Sequence, residues 1–179
     1  MDLFTPPPFR CADYAIRFAR EPWEMAGAQA LRRDVFCREQ RLFDDDADAL
    51  DVAATVLVAV SNMAGNPDDI VGTVRIHEVE RGVWWGSRLA VAATHRRIGA
   101  LGPALIKLAV SSAHARGCTS FFAHVQAQNE LMFRRLAWRR RTSVALHGRP
   151  HVLMQADLAA YPPIHDGHRG FTTWMERAA

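Results

Sequence analysis

Residues 89–102 read LAVAATHRRIGALG. An apolar, strand-like run passes through a basic turn containing Gly99 and opens into residues of helical period. From Ile98 the apolar positions fall at Ile98, Leu101, Leu105 and Leu108, and Gly117 stops the helix after about Arg116. A chain with this stretch has to set a strand and a long helix back to back. The first amides of a helix have no intrahelical partner and carry partial positive charge. A diphosphate placed there accepts several hydrogen bonds. Gly99 lets phosphate approach the backbone, and Arg96 and Arg97 add charge beside it. The competing reading is an ordinary helix start with a solvated arginine pair.

The rest of the chain limits which folds can carry that feature. The 179 residues are 49% hydrophobic and 23% charged, a balance suited to one globular domain and unlike a disordered or fibrous chain. Cys11, Cys37 and Cys118 form neither a disulfide framework nor a zinc spacing. No apolar run reaches membrane-spanning length, and residues 1–10 lack a secretory pattern, so the expectation is a cytoplasmic protein. Net charge is +3. Arg134, Arg135, Arg139, Arg140 and Arg141 cluster, as do Asp44, Asp45, Asp46, Asp48 and Asp51. The bland reading of each cluster is a solvated face.

Patterning predicts the order β-α-β-β-β-α-β-α-β-β. Residues 1–12 are an extended lead-in with Pro6, Pro7 and Pro8, and one domain spans 13–160. Strands are expected at Asp13–Arg20, Ala53–Ser61, Ile70–Val79, Val83–Val91, Cys118–Val125, Arg140–His147 and Pro150–Leu158. Gly86 suggests a bulge. A first helix starts at Pro22 and ends near Gln40, its inner face marked by Trp23, Gly27, Leu31 and Val35. A short helix covers Gln128–Leu136, and the tail at 161–179 is left unassigned. This is an α/β (α+β layered) protein without the strict alternation of a dinucleotide-binding fold.

Leu89-Ala90-Val91 followed by Arg96-Arg97-Ile98-Gly99 resembles motif A of the GNAT-type N-acetyltransferases, a strand-turn-helix reading L-A-V, then R-R/G-x-G-x-G/A. Ala100, Leu101 and Gly102 complete the turn with departures, since Leu101 stands where a second Gly or Ala is usual. Leu31-Arg32, Val35-Phe36, Glu39-Gln40, Asp48 and Asp51 look like the opening of the ElaA-like branch. His124–Trp138 and Gly148-Arg149-Pro150-His151 with Met154 are similar to its later segments. Trp85–Val91 (WGSRLAV) is a weaker echo of the E-x-S-R-F-x-V strand of acyl-homoserine-lactone synthases, with Trp85 where their Glu stands.

The resemblance implies a mixed, mostly antiparallel, splayed sheet flanked by helices. It implies acetyl-CoA or a related acyl-CoA as acyl donor, with the pantetheine pairing to the backbone of Leu89–Val91. It implies transfer to a small-molecule amine by direct attack. No metal, nucleic-acid or membrane partner is expected, and a homodimer is compatible with it. Two alternatives stay open: a signal synthase of the homoserine-lactone type, and a catalytically silent acyl-CoA sensor.

Neutralising a lysine-like ammonium at pH 7 costs roughly 4–5 kcal/mol, so a base or a desolvating pocket has to offset it. The strand position that often carries Glu in such enzymes holds Trp85 here. His77, Glu78 and His124 are the candidates near strand ends; His124 comes first and Glu78 second, against the competing readings of a histidine satisfied by its sheet neighbours and a solvent-facing strand glutamate. Phe133 stands where many relatives place a tyrosine acid, so it is expected to pack or to wall the thioester pocket. By the same resemblance Asn129 and Gln126 would bond the pantetheine arm, the competing reading being a helix cap, and Arg134 and Arg135 would reach the 3′-phosphate, the competing reading being exposed helix charges. Trp84 and Trp85 are sent to opposite faces; one is expected in the core, and the other is open to an acceptor pocket, although the core is the stronger reading for either. The aspartate loop is expected to attract a cationic acceptor.

Overall fold

The computed structural model describes residues 13–174. Eight strands form one sheet in the order β6-β7-β5-β4-β3-β2-β1-β8. They are β1 (Asp13–Phe18), β2 (Thr55–Met63), β3 (Asn66–Glu80), β4 (Val83–Val91), β5 (Ser120–Gln126), β6 (Trp138–Leu146), β7 (Arg149–Ala156) and β8 (Phe171–Trp174). Three helices, α1 (Pro22–Arg32), α2 (Leu101–Ala115) and α3 (Glu130–Arg135), flank it. All described strand pairs are antiparallel except β4 with β5. That parallel pair needs a crossover, which α2 supplies.

The sheet separates two apolar clusters. On one face α2 inserts Leu101, Leu105 and Leu108 against Leu57, Ile76, Trp84 and Phe121. On the other, α1 and the turn after it bring Ala28, Leu31, Val35 and Phe36 onto Val56, Val58 and Ile70. The alternation read from the sequence therefore separates the tryptophans as expected, with Trp84 in the α2-side core.

The first helix differs from its expected pattern. Trp23 is 43% exposed, and the inner face instead carries Glu24, Ala28, Leu31 and Arg32. Glu24 is buried because it accepts from Arg17 and from the Arg20 and Glu21 amides (2.6 and 3.2 Å). Beyond Arg32 the chain widens into a π-helical stretch, Arg33–Glu39, with the Gln40 amide donating to Val35 O at 2.9 Å. Such wide turns commonly accompany functional sites, and this one sets Phe36 and Gln40 beside the cavity described below.

β4 lies where the pattern put it. β3 is longer than expected, because residues 66–69 extend the hairpin with β2. The second long helix begins at Leu101, not Ile98; residues 96–100 form a turn ahead of it. The tail is not separate: β8 pairs with β1, extending the sheet beyond residue 160. The lead-in expected at 1–12 lies outside the described residues. Among the described residues no helix is long and apolar enough to cross a membrane.

Candidate active site

β4 and β5 pair only from Val83↔Ser120 to Gly86↔Ala123. Beyond that point they part, so the edge of Leu89, Ala90 and Val91 that faces β5 has no partner strand. The expected bulge is real but lies past Gly86. Thr73 pairs with Ala90 and Arg75 with Ser87, which leaves the extra residue at Arg88, whose φ is +56°. Gly86 has a different role: a Cβ there would meet the Phe121 ring at 3.1 Å.

A cavity of about 410 Å³ opens at the splay. On the α1 side it is lined by Phe36, Phe43, Arg75, His77, Trp85 and His124, and on the α2 side by Ile106, Val110, Phe121, Phe133 and Trp138. Trp85 lies with its ring 4.9 Å from His124 and 5.6 Å from Phe122. Burial, and then the neighbouring His151, hold the His124 pKa below the ordinary 6.5, so the ring is neutral at pH 7. His77 is pushed the same way by burial and by Arg75, and its Nδ1 is buried without a partner. Phe133 packs edge-on to Trp138 at 5.0 Å while also lining the cavity, so the packing and wall roles coincide. Asn129 lines the cavity; the Gln126 amide is occupied by Gln40 Oε1 at 2.8 Å.

Glu78 does not join this group. It stands on the opposite face of β3 from His77, and its carboxylate accepts from the Gly82 amide at 2.7 Å, closing the β3–β4 turn. The structure therefore corrects its candidacy beside His124.

The turn before α2 has a narrower cradle than the sequence pattern implied. The Ile98 amide donates to His95 O (3.0 Å) and the Leu101 amide to Ile98 O (3.3 Å), while the Leu101 side chain is core. Pro103 has no amide. Among the described residues, the amides of Gly99, Ala100 and Gly102 have no backbone acceptor. Arg96 is already engaged: it grips Glu39 at 2.6 and 2.7 Å and donates to Val91 O. Arg97 is exposed and has no described partner. Arg134 bonds Glu130 (2.7 Å), so it is not a free phosphate ligand either.

The aspartate run is also corrected. Asp44 and Asp45 are exposed, as a solvated face would be, but Asp46, Asp48 and Asp51 are no open cation trap, because they bond three arginines. Arg32 binds Asp46 and Asp51 (2.6 Å to the latter); Arg75 binds Asp48 (2.6 and 2.8 Å) and Asp51 (2.7 Å); Arg88 binds Asp46 (2.6 Å) and Asp48 (3.3 Å). Arg32 and Arg75 are 2% and 1% exposed. Arg75 also donates to Ser87 Oγ at 3.0 Å, and Arg88 lies over the Phe43 ring at 4.2 Å. The network fixes the loop after α1 against the β4 bulge and forms a charge-balanced wall of the cavity. The arginine partners were missed in the sequence. The available signal was one buried-looking arginine in each of three elements, Arg32, Arg75 and Arg88, facing a D-x-x-D spacing.

A model of the acetyltransferase (GNAT) family matches residues 13–136. An inferred N-acetyltransferase of Lactobacillus plantarum superposes with a TM-score of 0.71 at 25% identity, over 80% of this chain and 97% of that one. Escherichia coli ElaA gives 0.67 at 16%, over 80% and 98%. FeeM, an N-acyl amino acid synthase from uncultured soil microbes, gives 0.65 at 12%, over 82% and 92%. The last two likenesses concern the fold alone. A search of curated protein sequences finds no match.

Proposed function

Since the chain belongs to the GNAT acetyltransferase family, a family of acyltransferases, we propose that it moves an acyl group from an acyl-CoA, acetyl-CoA being the simplest, to a small amine. The observation that carries this reading is the free edge of Leu89–Val91 leading straight into the unbonded amides of Gly99, Ala100 and Gly102. An extended pantetheine arm pairs along the edge. The diphosphate sits on the amides, with Arg97 beside it. Ile98 and Leu101 shape this turn through their backbone bonds, and Arg96 supports it by tying Val91 O to Glu39.

His124 is the proposed general base. Its ring stands at the splay, where the thioester would lie, and its depressed pKa keeps it able to take a proton. The amine nitrogen bonds to the thioester carbonyl carbon, the C–S bond breaks from the tetrahedral intermediate, and the nitrogen's surplus proton passes to His124. CoA thiolate leaves and takes its proton from water. A thiolate of ordinary pKa leaves without an acid at a cost of about 2 kcal/mol, so Phe133 in place of a tyrosine slows but does not forbid the step. No covalent enzyme intermediate is needed.

Titration calorimetry with coenzyme A tests the anchor. Saturable binding by the wild type, weakened about tenfold or more by Arg97→Glu, is expected from a charge-assisted phosphate contact. Absence of heat in the wild type would remove the acyltransferase reading. A second reading, a lactone-forming signal synthase, draws on Arg88, which bonds Asp48 of the D-x-x-D pair, and on Ser87, which accepts from Arg75, itself bonded to Asp48 and Asp51. Incubation with S-adenosylmethionine and an acyl donor separates the two by whether a lactone forms.

A further inference from the structure

His151 is only 7% exposed, yet it lines the cavity together with His124. In the antiparallel ladder of β5 and β7, His124 pairs with Leu153 and Gln126 with His151. Paired residues share a face, so the two histidines are diagonal neighbours on one face of the sheet, roughly 7–8 Å apart at Cα. One water spans such a gap between two imidazoles. His151 Nδ1 lies 3.0 Å from Arg149 O. A carbonyl oxygen only accepts, so Nδ1 carries the hydrogen and the lone pair of the neutral ring is on Nε2. Nε2 has no partner among the described residues. On this face β6 presents Thr142, Val144 and Leu146, none of them charged. The charged or titratable groups around His151 are His124 across the ladder, Arg149 on its own strand and His147 at the turn before it. Arg149 is turned to Gln40 O at 2.5 Å, and His147 packs on Phe43 at 4.6 Å. His124 in turn meets Trp85 at 4.9 Å, with His77 beyond it across β4. The cavity-wall charges Asp48, Arg75 and Arg88 are bonded to one another.

We infer that His151 is a positioning residue for the proposed transfer, relaying through one water the proton that His124 takes from the amine. The inference rests on the acyl-CoA reading with His124 as base. In the step, the N–H bond of the attacking nitrogen breaks and His124 takes the proton. His124 passes its other ring proton to the water, and the water passes one to His151 Nε2. His124 is left neutral in its other tautomer, and solvent water takes the proton from the His151 imidazolium. Two imidazoliums this close repel, so the pair holds one proton at a time. In keeping with this, His151 follows burial among the causes that keep His124 weakly basic.

Nitrogen-15 NMR titration of the histidine side chains in the full chain tests the pair without substrate. The neutral His151 is expected to carry its hydrogen on Nδ1. The His124 midpoint is expected below 6.5 and to rise towards 6.5 in His151→Gln, whose amide still donates to Arg149 O but takes no proton. A His124 midpoint that does not move in the folded variant overturns the inference. So does a His151 hydrogen on Nε2 in the wild type, a readout that needs no variant to fold. With acetyl-CoA and a panel of primary amines, His151→Gln is expected to lose about tenfold in kcat for thiol release, with the KM for the amine little changed. Its acidic limb moves to higher pH. An unchanged kcat and limb would assign His151 to packing alone and overturn the relay. Calorimetry with coenzyme A separates the two levels. Binding in both proteins with an unmoved His124 midpoint overturns the relay alone, and no heat in the wild type overturns the acyltransferase reading with it.

Discussion

Arg88 holds φ at +56° inside a strand, a conformation that costs a residue with a side chain about 1–2 kcal/mol and glycine almost nothing. Its guanidinium offsets that cost by binding Asp46 and Asp48 and covering Phe43. Removing the side chain without relieving the backbone keeps the strain and loses the contacts. Arg88→Gly is therefore expected to retain about 1 kcal/mol more stability than Arg88→Ala, the reverse of the usual order in a strand. Urea midpoints of the two variants decide it, and an equal or inverted order would mean that the bulge relaxes when the contacts go. His124 makes a second prediction at this scale. Its lowered pKa extends the neutral, proton-accepting form to lower pH. The acidic limb of kcat/KM should thus bend below pH 6.5, the ordinary value for histidine. It should disappear in His124→Gln, which is expected to lose on the order of a hundredfold in rate. A limb that persists in the variant would assign the titration to another group, with His77 the first to examine.

At the scale of elements, β8 shows how a strand is added without an apolar signature. It reaches β1 through a turn at Gly170, where φ is +58° and a Cβ would lie 1.9 Å from Ile16 O. Gly170→Ala is expected to unseat β8 and leave β1 as an exposed edge. Hydrogen exchange at the Tyr14–Ile16 amides should rise by an order of magnitude or more, while amides in β5 stay protected. Protection unchanged at β1 would mean that β8 does not hold the edge. The elements legible in the sequence were those whose pattern is local. The alternation of β4 sorted Trp84 from Trp85 and fixed its ends. The basic, glycine-bearing turn before α2 marked the candidate site. β8 was illegible because its four residues, FTTW, carry no run long enough to signal a strand. The inner face of α1 was misread because Glu24 and Arg32 are polar residues buried by partners outside their own helix, Arg17 and the aspartates. Arg75 meets Asp48 across 27 positions, and no spacing rule ties residues so far apart. For the same reason Glu78 ranked ahead of His77 in sequence. Only strand pairing shows which face each takes.

At the scale of the whole molecule, the three arginines and three aspartates join α1, the following loop, β3 and the β4 bulge into one unit. Burial alone would raise the Asp51 pKa. Its bonds from Arg32, the Asp48 amide and Arg75 outweigh burial and hold it far below the ordinary 3.8. Asp48 is lowered by Arg75 despite its own desolvation. A carboxylate depressed in the folded state binds fewer protons there than in the unfolded chain. Its contribution is thus complete above the unfolded value and is lost as pH falls through and below it. The network should therefore give full stability at pH 6 and lose it progressively from about pH 5 downwards. An aspartate paired in this way contributes about 2–3 kcal/mol. Asp48 contributes less, because its side chain is 34% exposed and partly screened. Urea unfolding of the wild type between pH 6 and pH 2 is expected to show a fall of several kcal/mol. Asp51→Asn should start lower at pH 6, since it leaves Arg32 and Arg75 buried with fewer partners, and should decline less steeply. Parallel curves for the two proteins would show that the acid sensitivity arises outside the network. Steep loss confined to the wild type would show that one charge cluster both builds the cavity wall and sets the acid limit of the fold.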